Sequence, residues 1–188
     1  MKQTLIAFPE TIETARLYIR SCLPGDGEMV RNAIAASINE MKPWLPFAKE
    51  IPTIEEAEDS VRRSYAEFIK KEDIRLHIFR KDDDEFIGST GFHRINWDIP
   101  KVEIGYWLDT RHTKKGYMTE AVNGLVSFAF QEWDVKRIEI RCDPRNINSK
   151  TVAERAGFTL EGILRRDSLS ADGNEVRDTC VFAKIKDK

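Results

Sequence analysis

The sequence predicts an α+β (mixed α/β) fold, a single central mixed, mostly antiparallel sheet of about seven strands with helices on both faces. Three observations carry this. Segments with period-two alternation recur along the whole chain. Between residues 74 and 109 three of them follow one another with no helix between, the pattern of an antiparallel meander. A helical segment then separates residues 101–109 from residues 136–142, the arrangement of a parallel crossover. The length of 188 residues suits one domain over residues 1–188.

Each element has its own signal. "ETARLYIRS" places Ala15, Leu17 and Ile19 on one face and Arg16, Tyr18 and Arg20 on the other, so it is a strand. "LPGDGEMV" is a turn that feeds a helix from about Asp26 to Ile38. "MKPWLPFAKEIP" carries Pro43, Pro46 and Pro52 and is an ordered loop. Thr53 with Glu56 forms a capping box, opening a helix to about Lys71. "IRLHIFRKDDDEFIGSTGFHRI" is two strands around an acidic turn at Asp82 to Asp84. After Gly116, the residues Met118, Ala121, Val122, Leu125, Val126, Ala129 and Trp133 form an apolar stripe at helical spacing. "VKRIEIRCD" is a strand. Asn148 to Ala156 is a short helix, capped by Asn148 or Ser149 and stopped by Gly157. "FTLEGILRRDSL" and "EVRDTCVFAKI" pair around "ADGN".

The formal net charge of −2 argues against a general nucleic-acid binder, so no DNA partner is expected. No apolar run approaches the roughly 20 residues of a membrane span, and the start is not a signal peptide. Cys22, Cys142 and Cys180 are far apart and fit neither a disulfide framework nor a zinc site. They read as buried thiols in a cytoplasmic protein, with no metal.

Against this near-neutral background, "VEIGYWLDTRHTKKGYMTEAV" is locally basic. A strand runs into Arg111, His112, Lys114 and Lys115, then through Gly116 into a helix. A helix N-terminus presents unpaired N–H groups and about half a positive charge, and glycine lets the backbone approach a ligand. The combination suits an anion such as phosphate. It is neither a P-loop nor a dinucleotide fingerprint. His112 reads as an exposed loop histidine.

The stretch "EIGYWLDTRHTKKGYMTEAV" resembles the acetyl-CoA motif of the GNAT N-acetyltransferases, most closely the ribosomal-protein N-terminal acetyltransferases of the RimJ/RimL type. "TARLYIR", "MKPWLPFA", "IGSTGFHRI" and "NINSKTVAERAGFTLEGILR" resemble other parts of that family in the same order. The resemblance covers roughly residues 13 to 184 and implies a GNAT-like fold. The loop departs from the family's Gln/Arg-x-x-Gly-x-Gly/Ala pattern at Thr113 and Met118, and Lys114 stands where many relatives have glycine. The backbone donors survive these changes.

The resemblance implies acetyl transfer from acetyl-CoA to a primary amine by direct attack. Acetyl-CoA is then the co-substrate, held by Trp107, Leu108, Thr113, Lys114, Lys115, Gly116, Tyr117, Met118, Thr119, Asn146 and Ser149. Residues 106 to 108 would pair with pantetheine by backbone, and Asn146 would bond its amides. Glu103 would be the base for the amine, directly or through water, and Ser149 the acid for the leaving thiolate. Trp44, His93 and Glu103 would bound the acceptor site. The implied acceptor is a protein N-terminal α-amine, perhaps ribosomal. A polyamine or amine antibiotic is the alternative within the class, and a non-catalytic acyl-CoA-binding module the alternative outside it. A homodimer is a possible assembly.

Overall fold

The computed structural model describes residues 2–186. Eight strands form one sheet: β1 (Thr11–Glu13), β2 (Leu17–Ser21), β3 (Ile74–Arg80), β4 (Phe86–Asn96), β5 (Lys101–Leu108), β6 (Arg137–Cys142), β7 (Thr159–Leu169) and β8 (Val176–Ile185). Four helices accompany them: α1 (Gly27–Met41), α2 (Ile54–Lys70), α3 (Tyr117–Gln131) and α4 (Ile147–Arg155). The strand order is β1-β2-β3-β4-β5-β6-β8-β7, and every neighbouring pair is antiparallel except β5 with β6.

The sheet has eight strands where the alternation suggested about seven. The extra one comes from splitting the first. Thr14 exchanges bonds with Leu17: its N–H donates to the Leu17 carbonyl at 2.9 Å, and its hydroxyl accepts from the Leu17 N–H at 3.1 Å. The turn folds Thr11–Glu13 back onto β2. Ala15 therefore lies exposed at the turn and not on a core face.

Two apolar clusters pack the two faces. Leu17, Ile19, Ile74, Leu76, Ile78, Val102 and Ile104 pack with Met118, Ala121, Val122 and Leu125 of α3. On the other face Phe79 and Phe86 pack with Val30, Ala33 and Ile34 of α1 and Val61 of α2. The capping box is present in full: Glu56 N–H donates to Thr53 Oγ1 at 3.1 Å, and Thr53 N–H donates to Glu56 Oε2 at 2.8 Å. Cys22 and Cys180 are buried and Cys142 is half-buried, all three as free thiols.

One irregularity positions everything that follows. The parallel β5–β6 pairing covers Lys101–Arg137, Val102–Ile138 and Glu103–Glu139, and stops there. β4 keeps pairing with β5 out to Leu108. β6 keeps pairing with β8 out to Cys142. The sheet therefore forks beyond Glu103.

Candidate active site

The fork exposes backbone donors and acceptors in a fixed order. Strand residues send their N–H and C=O alternately to opposite sides. The Pro100 carbonyl accepts from Lys136 N–H at 2.7 Å, so residue 100 faces β6. Asp109 N–H donates to the Ile87 carbonyl at 2.8 Å, so residue 109 faces β4. By alternation, Tyr106 and Leu108 turn their backbone groups into the open fork, and Trp107 turns its own toward β4. The Trp107 side chain is edge-on to Phe86 at 5.8 Å, and the Leu108 side chain packs on the α3 core. Leu108 can thus serve a ligand through its backbone, and Trp107 only through its side chain, which lines the cavity described below.

At the open end of the fork lies the basic loop. Lys114 (φ 62) and Gly116 (φ 81) are both left-handed, and Gly116 is the N-cap of α3. Alternation of this kind turns successive N–H groups toward one point, an anion-binding nest. None of the N–H groups of residues 114–119 donates to an acceptor among the described residues. Thr113, Lys114 and Lys115 are exposed, and neither lysine has an acidic partner among the described residues. Met118 is buried in the core, so only its N–H can serve a ligand. Tyr117 lies under the Arg16 guanidinium, 4.5 Å from its ring centre. The loop is braced from behind. Glu120 accepts from Thr14 Oγ1 at 2.6 Å and from Arg16 N–H and Nε at 2.7 Å each, and Arg16 Nη1 donates to the Lys115 carbonyl at 3.1 Å. His112 is not the exposed loop residue its surroundings suggested. It is 5% exposed and its Nε2 lies 3.2 Å from Glu85, because the 3-10 turn at Thr110–His112 folds the ring inward.

On the far side of the fork, α4 starts one residue earlier than its pattern suggested. Its cap is Asn146, not Asn148 or Ser149: Asn146 Oδ1 accepts from Ser149 N–H at 3.1 Å. The amide nitrogen of Asn146 remains free to donate. Tyr106, which the sequence did not single out by its side chain, reaches across the fork to Ser149. Its hydroxyl lies 3.0 Å from the Ser149 carbonyl and 3.1 Å from Ser149 Oγ. Burial pushes the Tyr106 phenol well above its usual range, so it stays protonated. The signal was present in the alternation, since Tyr106 shares a face with Val102 and Ile104, but a partner 43 residues away was not visible.

On the α1/α2 face, a cavity of about 510 Å³ is lined by residues including Arg75, Ser89, Thr90, His93, Gly105, Tyr106 and Trp107. A larger groove of about 1520 Å³ runs between the N-terminal segment and α3, but it lies away from the fork's interior and from Glu103 and Ser149. From the proline-rich loop, Leu45 and Phe47 form the smaller cavity's wall, and Trp44 is not among the lining residues. His93 does line it. Its Nδ1 bonds Asp73 Oδ2 at 2.7 Å, and its ring leans over Gly105, where a Cβ would meet the ring at 2.9 Å.

Glu103 pairs across the strands with His93 and with Glu139, so it stands at the vertex of the fork; it does not itself line the cavity, which its strand partner His93 borders. Its side chain is 18% exposed and its nearest cation is Arg94, at 3.5 Å. Its Oε2 is buried without a hydrogen bond among the described residues. Burial raises its pKa above the ordinary 4.5, opposed by the charges of Arg94, Arg141 and His93. A largely buried carboxylate with a raised pKa, one oxygen lacking a hydrogen bond and a single long ion pair to an exposed arginine, has the properties of a proton acceptor. Among the described residues no cluster of His, Cys, Asp and Glu is arranged to hold a metal ion, and no helix is long and apolar enough to cross a membrane.

Residues 16–159 match the family described as acetyltransferase (GNAT) domain. "Probable N-acetyltransferase YjcK" of Bacillus subtilis (strain 168) is 43% identical over 99 residues, which is 52% of this chain and 55% of that protein. The match thus spans about half the length of that relative. The "Ribosomal-protein-serine acetyltransferase" of Escherichia coli (strain K12) is 31% identical over 155 residues, 78% of this chain and 82% of that protein. Among solved structures, RimL, a ribosomal L7/L12 α-N-protein acetyltransferase in complex with coenzyme A, superposes with a TM-score of 0.86 over 94% of this chain and 98% of its own, at 22% identity.

Proposed function

The chain belongs to the GNAT acetyltransferase family, and from that premise we propose that it acetylates the N-terminal α-amine of a protein, with acetyl-CoA as donor. The observation that carries this reading is the fork: open backbone groups of residues 106 and 108 run between the unpaired N–H groups of residues 114–119 and the cavity bordered by His93, the strand partner of Glu103. The loop supports a pyrophosphate, with Lys114 and Lys115 adding charge and Thr119 at the first turn of α3. The fork supports an extended amide chain, added like a strand, with the free Asn146 amide beside it. Acetyl-CoA supplies the acetyl group as an activated thioester.

The remaining chemistry falls to the chain's own residues. Glu103 takes the proton that the attacking amine loses as its C–N bond forms, directly or through one water. Ser149 gives a proton to the thiolate as the C–S bond breaks, and the Tyr106 hydroxyl, 3.1 Å from Ser149 Oγ, holds that oxygen in position. An α-amine with pKa near 7.7–8.0 is already partly neutral at pH 7, so a carboxylate base of modest strength is sufficient. The similarity to ribosomal-protein acetyltransferases favours a ribosomal protein as acceptor and the cytoplasm as location.

Titration calorimetry with acetyl-CoA, followed by coenzyme A release with N-terminal peptides and with polyamines, tests the reading. Saturable binding with turnover of peptides supports it. Turnover of polyamines alone replaces the acceptor, and absence of binding at high micromolar acetyl-CoA removes the enzyme reading.

A further inference from the structure

The cavity on the α1/α2 face holds a charge that acetyl transfer does not use. Arg75 is half-buried, lines the cavity, and donates from Nη1 to Ser60 Oγ at 3.1 Å. Among the described residues it has no carboxylate within ion-pair distance, because each nearby acid is committed elsewhere. Asp26 is held by Arg20 at 2.7 and 2.9 Å and by His77 Nδ1 at 2.8 Å. Asp73 is held by His93. Glu56, at the cavity rim, accepts from Thr53 N–H. A guanidinium does not shed its proton, so Arg75 stays charged and offers its remaining donors to whatever fills the cavity.

The sheet places this charge in line with the fork. Arg75 pairs with Gly91, and Gly91 pairs with Gly105. The row runs straight across β3, β4 and β5, so the Cα atoms of Arg75 and Gly105 are two strand spacings apart, about 9–10 Å, and the guanidinium rises from the row toward Ser60 of α2. Neither glycine tolerates a side chain: a Cβ at Gly91 would run into the Ile74 carbonyl, and one at Gly105 into the His93 ring. A row without Cβ atoms at Gly91 and Gly105 therefore connects Arg75 to the strand that borders the fork, with the His93 ring over its Gly105 end and Ser89 on the other side.

We propose that the amine acceptor carries an anionic group, a carboxylate or a phosphate, which Arg75 binds at the far end of this row while the amine lies at its Gly105 end, against the His93 ring. The inference rests on the reading of the cavity as the acceptor site. At about 3.3–3.6 Å per extended residue, the row spans the distance from a terminal amine to a side-chain anion on the second or third residue of a peptide.

The test measures coenzyme A release at saturating acetyl-CoA. The acceptors are matched peptides beginning Ser-Asp, Ser-Ala and Ser-Lys with amidated C-termini, and 6-aminohexanoate with its neutral amide. The Asp peptide is expected to exceed the Ala peptide by about 10- to 100-fold in kcat/KM, the range of a charge-assisted bond. Arg75→Gln brings that ratio toward one, and Arg75→Glu inverts it in favour of the Lys peptide. Acetyl-CoA titration of each variant shows that it is folded. Peptides turned over without charge preference, or a preference that survives Arg75→Gln, would overturn this inference and leave the proposed function standing. Turnover of 6-aminohexanoate over its amide with no peptide accepted would do the reverse. No turnover of any of these acceptors would overturn both.

Discussion

Glu103→Gln is expected to slow acetyl transfer and, at neutral pH, to stabilise the fold. The carboxylate is largely buried and one oxygen has no hydrogen bond, so ionisation forfeits hydration without full compensation. Its nearest cation among the described residues, Arg94, is 69% exposed, and such a screened pair contributes at most about 1 kcal/mol. Burial accordingly lifts the pKa above 4.5. With the folded value above the unfolded one, the contribution to stability is complete below the unfolded pKa and is lost as pH rises through the folded pKa. At pH 7.5 the charged group is a net cost. Each unit of lift corresponds to about 1.4 kcal/mol, or roughly 3–5 °C in Tm for a domain of this size. Glutamine keeps the shape and cannot ionise. Thermal melts should show the variant above wild type at pH 7.5, with the gap closing near pH 4. At pH 7.5 kcat should fall by about 10²- to 10⁴-fold, the usual contribution of a general base, with acetyl-CoA affinity retained. A variant that melts at or below wild type at neutral pH would show that the carboxylate is properly paired. An unchanged kcat would remove Glu103 from the proton path.

Three further outcomes are expected. Gly116→Ala forces a Cβ into φ 81 and should lower stability by about 1–2 kcal/mol, with acetyl-CoA binding weakened on the order of tenfold by calorimetry as the N–H nest distorts. Tyr106→Phe removes the hydroxyl at Ser149 Oγ, so kcat should fall with little change in KM for acetyl-CoA, and Ser149→Ala combined with it should be strongly non-additive. His77 is neutral in the fold, its pKa depressed to about 4 by burial despite the Asp26 bond. Its contribution is complete above the unfolded value of 6.5 and is lost as pH falls toward 4, so His77→Asn should flatten the loss of stability in that window in denaturant titrations.

Local physics made much of this molecule readable from its sequence. The capping box of α2, the glycine that starts α3 and the apolar stripe from Met118 to Ala129 depend on residues within a turn or two and appear where their spacing placed them, whereas Trp133 lies past the helix end at Gln131. The three-residue β1 was too short to show a period, and the Thr14 turn that creates it resembles a continuing strand. The cap of α4 was misplaced because Asn146 and Asn148 are equally good candidates by type. What stayed hidden is long-range. Asp73 with His93, Tyr106 with Ser149, and the isolation of Arg75 each require knowing which strands are neighbours. His112 was misjudged because nothing in "TRHTKKG" reveals Glu85 across the structure.

The fork also divides the molecule mechanically. β6, β8, β7 and α4 form a wing whose strand pairing to the rest of the sheet covers three positions of β5 and β6, with the Tyr106–Ser149 contact and the core packed on α3 as its other ties. The angle of that wing sets the width of the opening. A strand-like ligand laid in the gap would act as a splint across the seam, coupling the wing to the body over a length that lacks backbone pairing. Occupancy and rigidity then become one variable. Ligand at a hundred times its Kd adds about 2.7 kcal/mol to unfolding, and the amides nearest the seam should gain the most protection from hydrogen exchange.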